Sequence, residues 1–164
     1  MRFLKISLLF WSISAFSQNN FTTPFERGNG NQSTTYEECI AFYEKLDESF
    51  ANIQMIQKGT TDSGKPLHLL LFSSEGKFDF DEYFTKNKAV ILINNGIHAG
   101  EPDGIDATMM LMRDLAMGKI KTAKNTLIAA IPVYSVGGML NRNSHSRANQ
   151  NGPEEYGFRG NARN

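Results

Sequence analysis

The spacing of apolar residues changes from segment to segment along this chain, and each change of period marks an element. Between Tyr36 and Ala51, the residues Cys39, Tyr43, Leu46 and Phe50 share one side of a 3.6-residue repeat, which predicts a helix. Thr35-Tyr36-Glu37-Glu38 opens it as a capping box: the Thr35 hydroxyl accepts from the Glu38 amide while the Glu38 side chain reaches back. Two strand-like runs follow, Ile53 to Thr60 and Leu67 to Ser73. They flank a stretch rich in the turn formers Asp, Gly and Pro, so a hairpin or meander is expected. The polar stretch 77–88 has spaced aromatics and predicts a connection with one helical turn. Ala89 to Ile93 and Thr126 to Ile131 are continuous apolar runs of strand length. Between them, Pro102 to Met117 carries Ile105, Met109, Met112 and Leu115 on one helical side.

Strand, helix and strand in that order, with strands that do not alternate, predict parallel strands buried on both faces. The expected fold class is therefore α/β, a mixed, largely parallel sheet with helices on both faces. Residues 18–34, rich in Asn, Gly, Thr and Ser, read as an extended lead-in on the surface. After Pro132 the apolar periodicity stops, and a segment rich in Asn and Gly carries Arg142, Arg147, Arg159 and Arg163. Such a segment inside a domain reads as a functional loop.

Composition changes this picture in few places. With 164 residues, 40% of them hydrophobic, the chain suffices for one domain with a sizeable core. Lys plus Arg balance Asp plus Glu at 17 each, with no block of like charge, so nothing points to nucleic acid or an anionic membrane. A neutral small-molecule or peptide partner fits better. Arg2 and Lys5 precede an apolar run from Ile6 to Phe16 that is too short to span a bilayer. Residues 1–17 therefore read as a signal peptide cleaved after Ser17, which implies an exported protein, periplasmic or secreted, with no membrane span in the mature chain. Cys39 is the only cysteine, so no intramolecular disulfide can form, and its helix face marks it as a buried small hydrophobe.

The candidate chemistry lies where the Ala89–Ile93 strand runs into the Pro102 helix. Ligands of open α/β sheets are met at the carboxyl ends of the strands, and His98 and Glu101 occupy that place. Pro102 suits the first helical position, which puts Glu101 at the cap. An imidazole and a carboxylate held together by a turn form half of a zinc site. The spacing alone is weak, since an H-x-x-E pair arises readily by chance and a loop histidine bonded to a capping acid has the same pattern. The Gly-rich strand-to-helix setting of Asn94-Asn95-Gly96-Ile97-His98-Ala99-Gly100-Glu101-Pro102 strengthens it.

Residues 96–115, GIHAGEPDGIDATMMLMRDL, resemble the zinc-binding stretch of the zinc metallocarboxypeptidase family, the carboxypeptidase A and B type. VILINNGIHAGE before them and TLIAAIPVYSVGG after them also look like their counterparts there, so the resemblance runs from about Gln57 to the end of the chain. It implies that His98 and Glu101 are two of three Zn2+ ligands and that metal-activated water attacks a peptide or amide bond. It also implies an arginine that steadies the oxyanion, upstream of an Asn-Arg pair that binds a terminal carboxylate. Gly157-Phe158-Arg159-Gly160-Asn161 resembles the lead into that pair, which selects Arg159, with Arg147 the alternative. A guanidinium beside a developing oxyanion meets the physical need in either case. Each arginine has the plainer reading of a solvated charge or a partner of Glu154 or Glu155.

Two departures from the family pattern stand out. Ser135-Val136-Gly137-Gly138 replaces the family's common Asn-Pro-Asp-Gly, which implies a divergent branch. The third ligand, a tyrosine and the general-base glutamate of the family would fall beyond Asn164, so residues 35–164 are expected to be the N-terminal part of a catalytic domain, inactive alone. His145 is a loop histidine that could substitute as a ligand, and His68 reads as structural. The rival functions are an amide deacylase on the same scaffold and a catalytically silent exported binding domain.

Overall fold

A computed structural model describes residues 21–148 and 150–163, so the expected signal peptide lies outside the described residues. In chain order the elements are α1 (Pro24–Arg27), α2 (Tyr36–Ser49), β1 (Ile53–Thr60), β2 (Pro66–Ser73), α3 (Phe80–Thr85), β3 (Ala89–Asn94), α4 (Asp103–Ala116), β4 (Thr126–Ile131) and α5 (Val136–Leu140). The sheet order is β1-β2-β4-β3. β1 and β2 form the expected hairpin, β2 pairs antiparallel with β4, and β3 pairs parallel with β4. The sheet is thus mixed, with its parallel pairing confined to the strands that flank α4.

Alternation along β2 and β4 sends side chains to two cores. Leu70, Phe72, Ile128 and Ala130 face α2 and α4, where Cys39, Tyr43, Leu46, Ile105, Met109, Met112 and Leu115 close the larger core. Leu71, Leu127 and Ala129 face the other way, against Tyr83 of α3. Helices therefore lie on both faces. The four apolar positions foreseen on α4 are all buried, as is Cys39, whose thiol pKa burial pushes up. Each large side chain buried in this way contributes roughly 1.5–3 kcal/mol relative to exposure.

Two expectations are corrected. β3 is not buried on both faces: Ile91 is 48% exposed and Leu92 62%, and among the described residues β3 is an edge strand paired with β4 alone. The lead-in is not simply extended on the surface. Thr23 and Glu26 form a capping box around the single turn of α1. The Phe21 ring packs on Phe50 at 5.5 Å and Phe42 at 6.2 Å. Arg113 of α4 donates to the Phe21 carbonyl (3.1 Å) and meets Glu26 at 2.6 Å. One turn is too short to show a helical period, which hid it from the sequence pattern. No helix among the described residues is long and apolar enough to cross a membrane.

Asp106 is the unusual group in the interior. It is 4% exposed on α4 and accepts from the Thr34 amide at 3.1 Å, which ties the start of α2 to α4. Burial raises its pKa to about 6, and the Thr34 amide and the Arg142 charge offset this only in part. A carboxyl whose folded pKa lies above its unfolded value penalises folding where it must ionise. The penalty is complete above pH 6 and vanishes below the ordinary carboxylate range, and the shift corresponds to roughly 3 kcal/mol. Asp106→Asn keeps an acceptor for Thr34 and removes the charge. The variant is expected to be more stable than the wild type at pH 7 by roughly 1–3 kcal/mol, with the gap narrowing as the pH falls below about 6 and closing only below the ordinary carboxylate value of 3.8. Urea unfolding of both proteins across that range checks this, and a gap independent of pH would contradict it.

Candidate functional site

β3 and β4 run parallel and end level, with Asn94 opposite Ile131, so both chains leave the sheet at the same carboxyl edge. Their exits stay fastened. The Asn95 amide donates to the Ile131 carbonyl (3.2 Å), the Tyr134 amide to the Asn95 carbonyl (2.8 Å) and the Ser135 amide to the Gly96 carbonyl (2.8 Å). The Asn95 side chain, 5% exposed, accepts from the Thr108 hydroxyl at 3.2 Å and so anchors the loop to α4. Gly96 turns the chain with φ +60°, where a Cβ would stand 3.0 Å from Ile105. Glycine alone combines that conformation with that contact at low cost.

The next residues close a tight turn in which the Glu101 amide donates to the His98 carbonyl at 2.9 Å. Pro102 occupies the cap of α4 and its carbonyl accepts from the Asp106 amide at 3.0 Å, one position later than the sequence pattern implied. The turn brings His98 Nδ1 to 3.6 Å from Glu101 Oε2. On its far side Arg147 Nη1 stands 2.8 Å from Glu101 Oε1. Slight burial works to raise the Glu101 pKa, but the Arg147 guanidinium, with His98, outweighs it and holds the carboxyl below its ordinary value. Glu101 is therefore ionised in neutral solution.

Arg159 reaches the same place from another segment. A depression of about 360 Å3 is lined by His98, Arg159, Ile97, Tyr134, Ser135 and Asn161. The strap that carries Arg159 is clamped along its length. The Gly157 amide donates to the Ala99 carbonyl (3.1 Å), and the Phe158 amide donates to the Gly138 carbonyl (2.8 Å). The Ser135 hydroxyl donates to the Gly160 carbonyl (3.2 Å), and the Asn161 side chain accepts from the Gly137 amide (3.2 Å). Residues Ser135 to Gly138, where three of four positions differ from the Asn-Pro-Asp-Gly of the resemblance and only the last glycine is kept, are thus the seat of this strap. Ser135 and Asn161 were not among the sequence candidates. For Ser135 a signal was present in the departure itself, which lies just past β4.

The other histidines stay apart from the pair. His68 lies on β2 opposite Gln57, with its pKa lowered by burial against the charge of Glu44. The His145 amide donates to the Asn143 side chain in an exposed turn. No group of three or more His, Cys, Asp and Glu gathers to hold a metal among the described residues, so the substitute role for His145 finds no support. A second depression of about 400 Å3 lies between the lead-in and the 142–155 loop; its Arg142 donates to the carbonyls of Ser33, Thr34 and Glu155 and is a structural tie.

The two donors fit half of a tetrahedral zinc site. Donor atoms each about 2.1 Å from tetrahedral zinc stand about 3.4 Å apart, and the His98–Glu101 separation is 3.6 Å. A neutral imidazole and an ionised carboxylate are also the donor types that zinc accepts.

Among known proteins, no family model and no curated protein sequence matches this chain. Solved structures do match. Carboxypeptidase A from Helicoverpa armigera superposes with a TM-score of 0.58 at 20% identity, over 68% of this chain and 26% of that one. Bovine thrombin-activatable fibrinolysis inhibitor, solved with tick carboxypeptidase inhibitor, gives 0.54 at 21% identity over 67% and 33%. A metallo-carboxypeptidase from Burkholderia cenocepacia gives 0.53 at 18% identity over 66% and 28%. At these identities the likeness is one of fold. The chain has part of a metallocarboxypeptidase-like α/β fold, and it spans about a quarter to a third of the length of these structures.

The clamp on the strap yields a test. A Cβ on Gly138 would collide with the carbonyl oxygens of Gly160 and Phe158, both backbone atoms that cannot rotate away. Gly138→Ala is expected to cost roughly 1–3 kcal/mol in thermal unfolding. Gly59→Ala, where a Cβ meets nothing within 4 Å, should stay within about 0.5 kcal/mol of wild type. Equal effects at both positions would remove the strap from the account of the site.

Proposed function

We propose that this chain supplies the metal-binding part of an exported, zinc-dependent, carboxypeptidase-like hydrolase acting on a peptide or amide bond. The observation that carries the reading is the His98–Glu101 pair, set at zinc-donor spacing in a turn at the carboxyl end of β3, within a carboxypeptidase-like fold. Bound zinc supplies Lewis acidity and lowers the pKa of a coordinated water. The residues of the chain do the rest of what is assigned to it. His98 presents a ring nitrogen and Glu101 an ionised oxygen to the same point. Arg159, which lines the same depression as His98, is the guanidinium assigned to a carbonyl oxygen as negative charge develops there, and Arg147 is the alternative. The reading requires a third donor and a general base besides this pair, and no group of three or more His, Cys, Asp and Glu gathers among the described residues.

Equilibrium dialysis against zinc tests this. His98→Ala is expected to lower zinc affinity at least tenfold, as loss of one of few ligands does. His68→Ala, whose ring lies away from the pair on β2, should leave affinity unchanged. Unaltered zinc binding in His98→Ala would sink the metal reading.

A further inference from the structure

We propose that Arg147 is a positioning residue for Glu101: it holds one carboxylate oxygen so that the other is aimed at the point His98 faces. The proposal rests on the zinc reading and adds a part that neither the spacing of the motif nor the oxyanion role contains. Glu101 Oε1 stands 2.8 Å from Arg147 Nη1, while Oε2 stands 3.6 Å from His98 Nδ1, so the two oxygens have separate partners. Nη1 is shielded from solvent and makes no well-aligned hydrogen bond, leaving the ion pair with Glu101 as its close polar contact. A half-exposed glutamate at the start of a helix would otherwise sample several rotamers, and a free carboxylate would have to be ordered when metal arrives.

The approach of the arginine is built into the backbone. A Cβ on Gly100 would stand 2.9 Å from Arg147 Cδ and 2.7 Å from the Gly157 carbonyl oxygen. The stem of Arg147 therefore crosses the turn between the two donors, over a residue with no side chain, and the Gly157 strand backs the turn through its bond to the Ala99 carbonyl. Arg147 is mostly buried along this path, whereas the exposed Arg163 has no such contact with the turn.

A cation this close to a metal site acts in two opposed ways. It repels the dication, and it fixes the carboxylate that binds it. Water screens the repulsion at a half-exposed site, whereas the orientation of the ligand is set at contact distance. Outer partners of ligating groups commonly account for tenfold or more in metal affinity. The net effect assigned to Arg147 is therefore favourable.

Zinc titrated into the purified chain by calorimetry decides the matter, with Arg147→Gln, Arg147→Lys, His98→Ala and Arg163→Ala compared with wild type. Arg147→Gln should bind zinc about tenfold more weakly. Arg147→Lys, which can still bring a cation to Oε1, should recover most of that loss, and Arg163→Ala should match wild type. If Arg147→Gln does not fold, Arg147→Met takes its place: a loss of about tenfold supports positioning, and affinity within about threefold of wild type overturns it. Wild-type or tighter binding by Arg147→Gln, with His98→Ala still weakened, overturns the positioning role and leaves the zinc reading standing. Zinc binding that is absent in wild type, or unchanged in His98→Ala, overturns both.

Discussion

The parallel pairing of β3 with β4 is the constraint on which the rest of this molecule depends. Because the two strands end level, the chain after Asn94 and the chain after Ile131 emerge side by side, and amide-to-carbonyl bonds from Tyr134 and Ser135 keep them together past the sheet. The turn holding His98 and Glu101 belongs to the first exit, and the seat of the Arg159 strap belongs to the second. A shift of one residue in this register would turn the alternating faces of β4 inside out and separate the two exits. Register is strongly held here because both faces of β4 are buried, Ile128 and Ala130 toward one core, Leu127 and Ala129 toward the other.

Around that pair, small residues allow backbone to lie against backbone. Gly96 turns the chain, Gly100 lets Arg147 cross, and Gly137 and Gly138 admit the 158–162 strap. The result is a site held by main-chain bonds and shaped by missing side chains, with its chemical groups, His98, Glu101, Arg147 and Arg159, added on top. The carboxypeptidase-like fold supplies the frame. Arg147 stands 2.8 Å from Glu101, and Arg159 lines the same depression as His98.

Away from the site, buried polar groups tie segments that hydrophobic packing would leave loosely related. Asp106 accepts from the Thr34 amide, Arg142 donates to the Ser33 and Thr34 carbonyls, and Arg113 joins the lead-in to α4. The Asp106 tie lowers stability at neutral pH, since its carboxyl must ionise in a buried place. It contributes orientation: the link from α2 to α4 helps fix where α4 begins, and hence where Glu101 sits.

Most of the element pattern was legible in the sequence. α2 and α4 follow from apolar spacing and, for α2, from its capping box; β1, β2, β3 and β4 follow from run length and turn residues. The closeness of His98 to Glu101 was legible as well, because the two lie three residues apart between a strand and a helix. These features depend on residues close together in the chain, and local sequence carries them. The exposed face of β3, the packed lead-in and the contact of Arg147 with Glu101 were not legible. Whether an apolar strand is buried depends on how many neighbours the sheet supplies, which run length does not encode. Arg147 and Arg159 sit in a segment without periodicity, so the sequence by itself determined that arginines follow the second strand, and only the tertiary structure decided which one meets the carboxylate. The physical reason is the seat formed by Gly100, Gly137 and Gly138: the path of a loop over its neighbours is set by where bulk is absent across the fold.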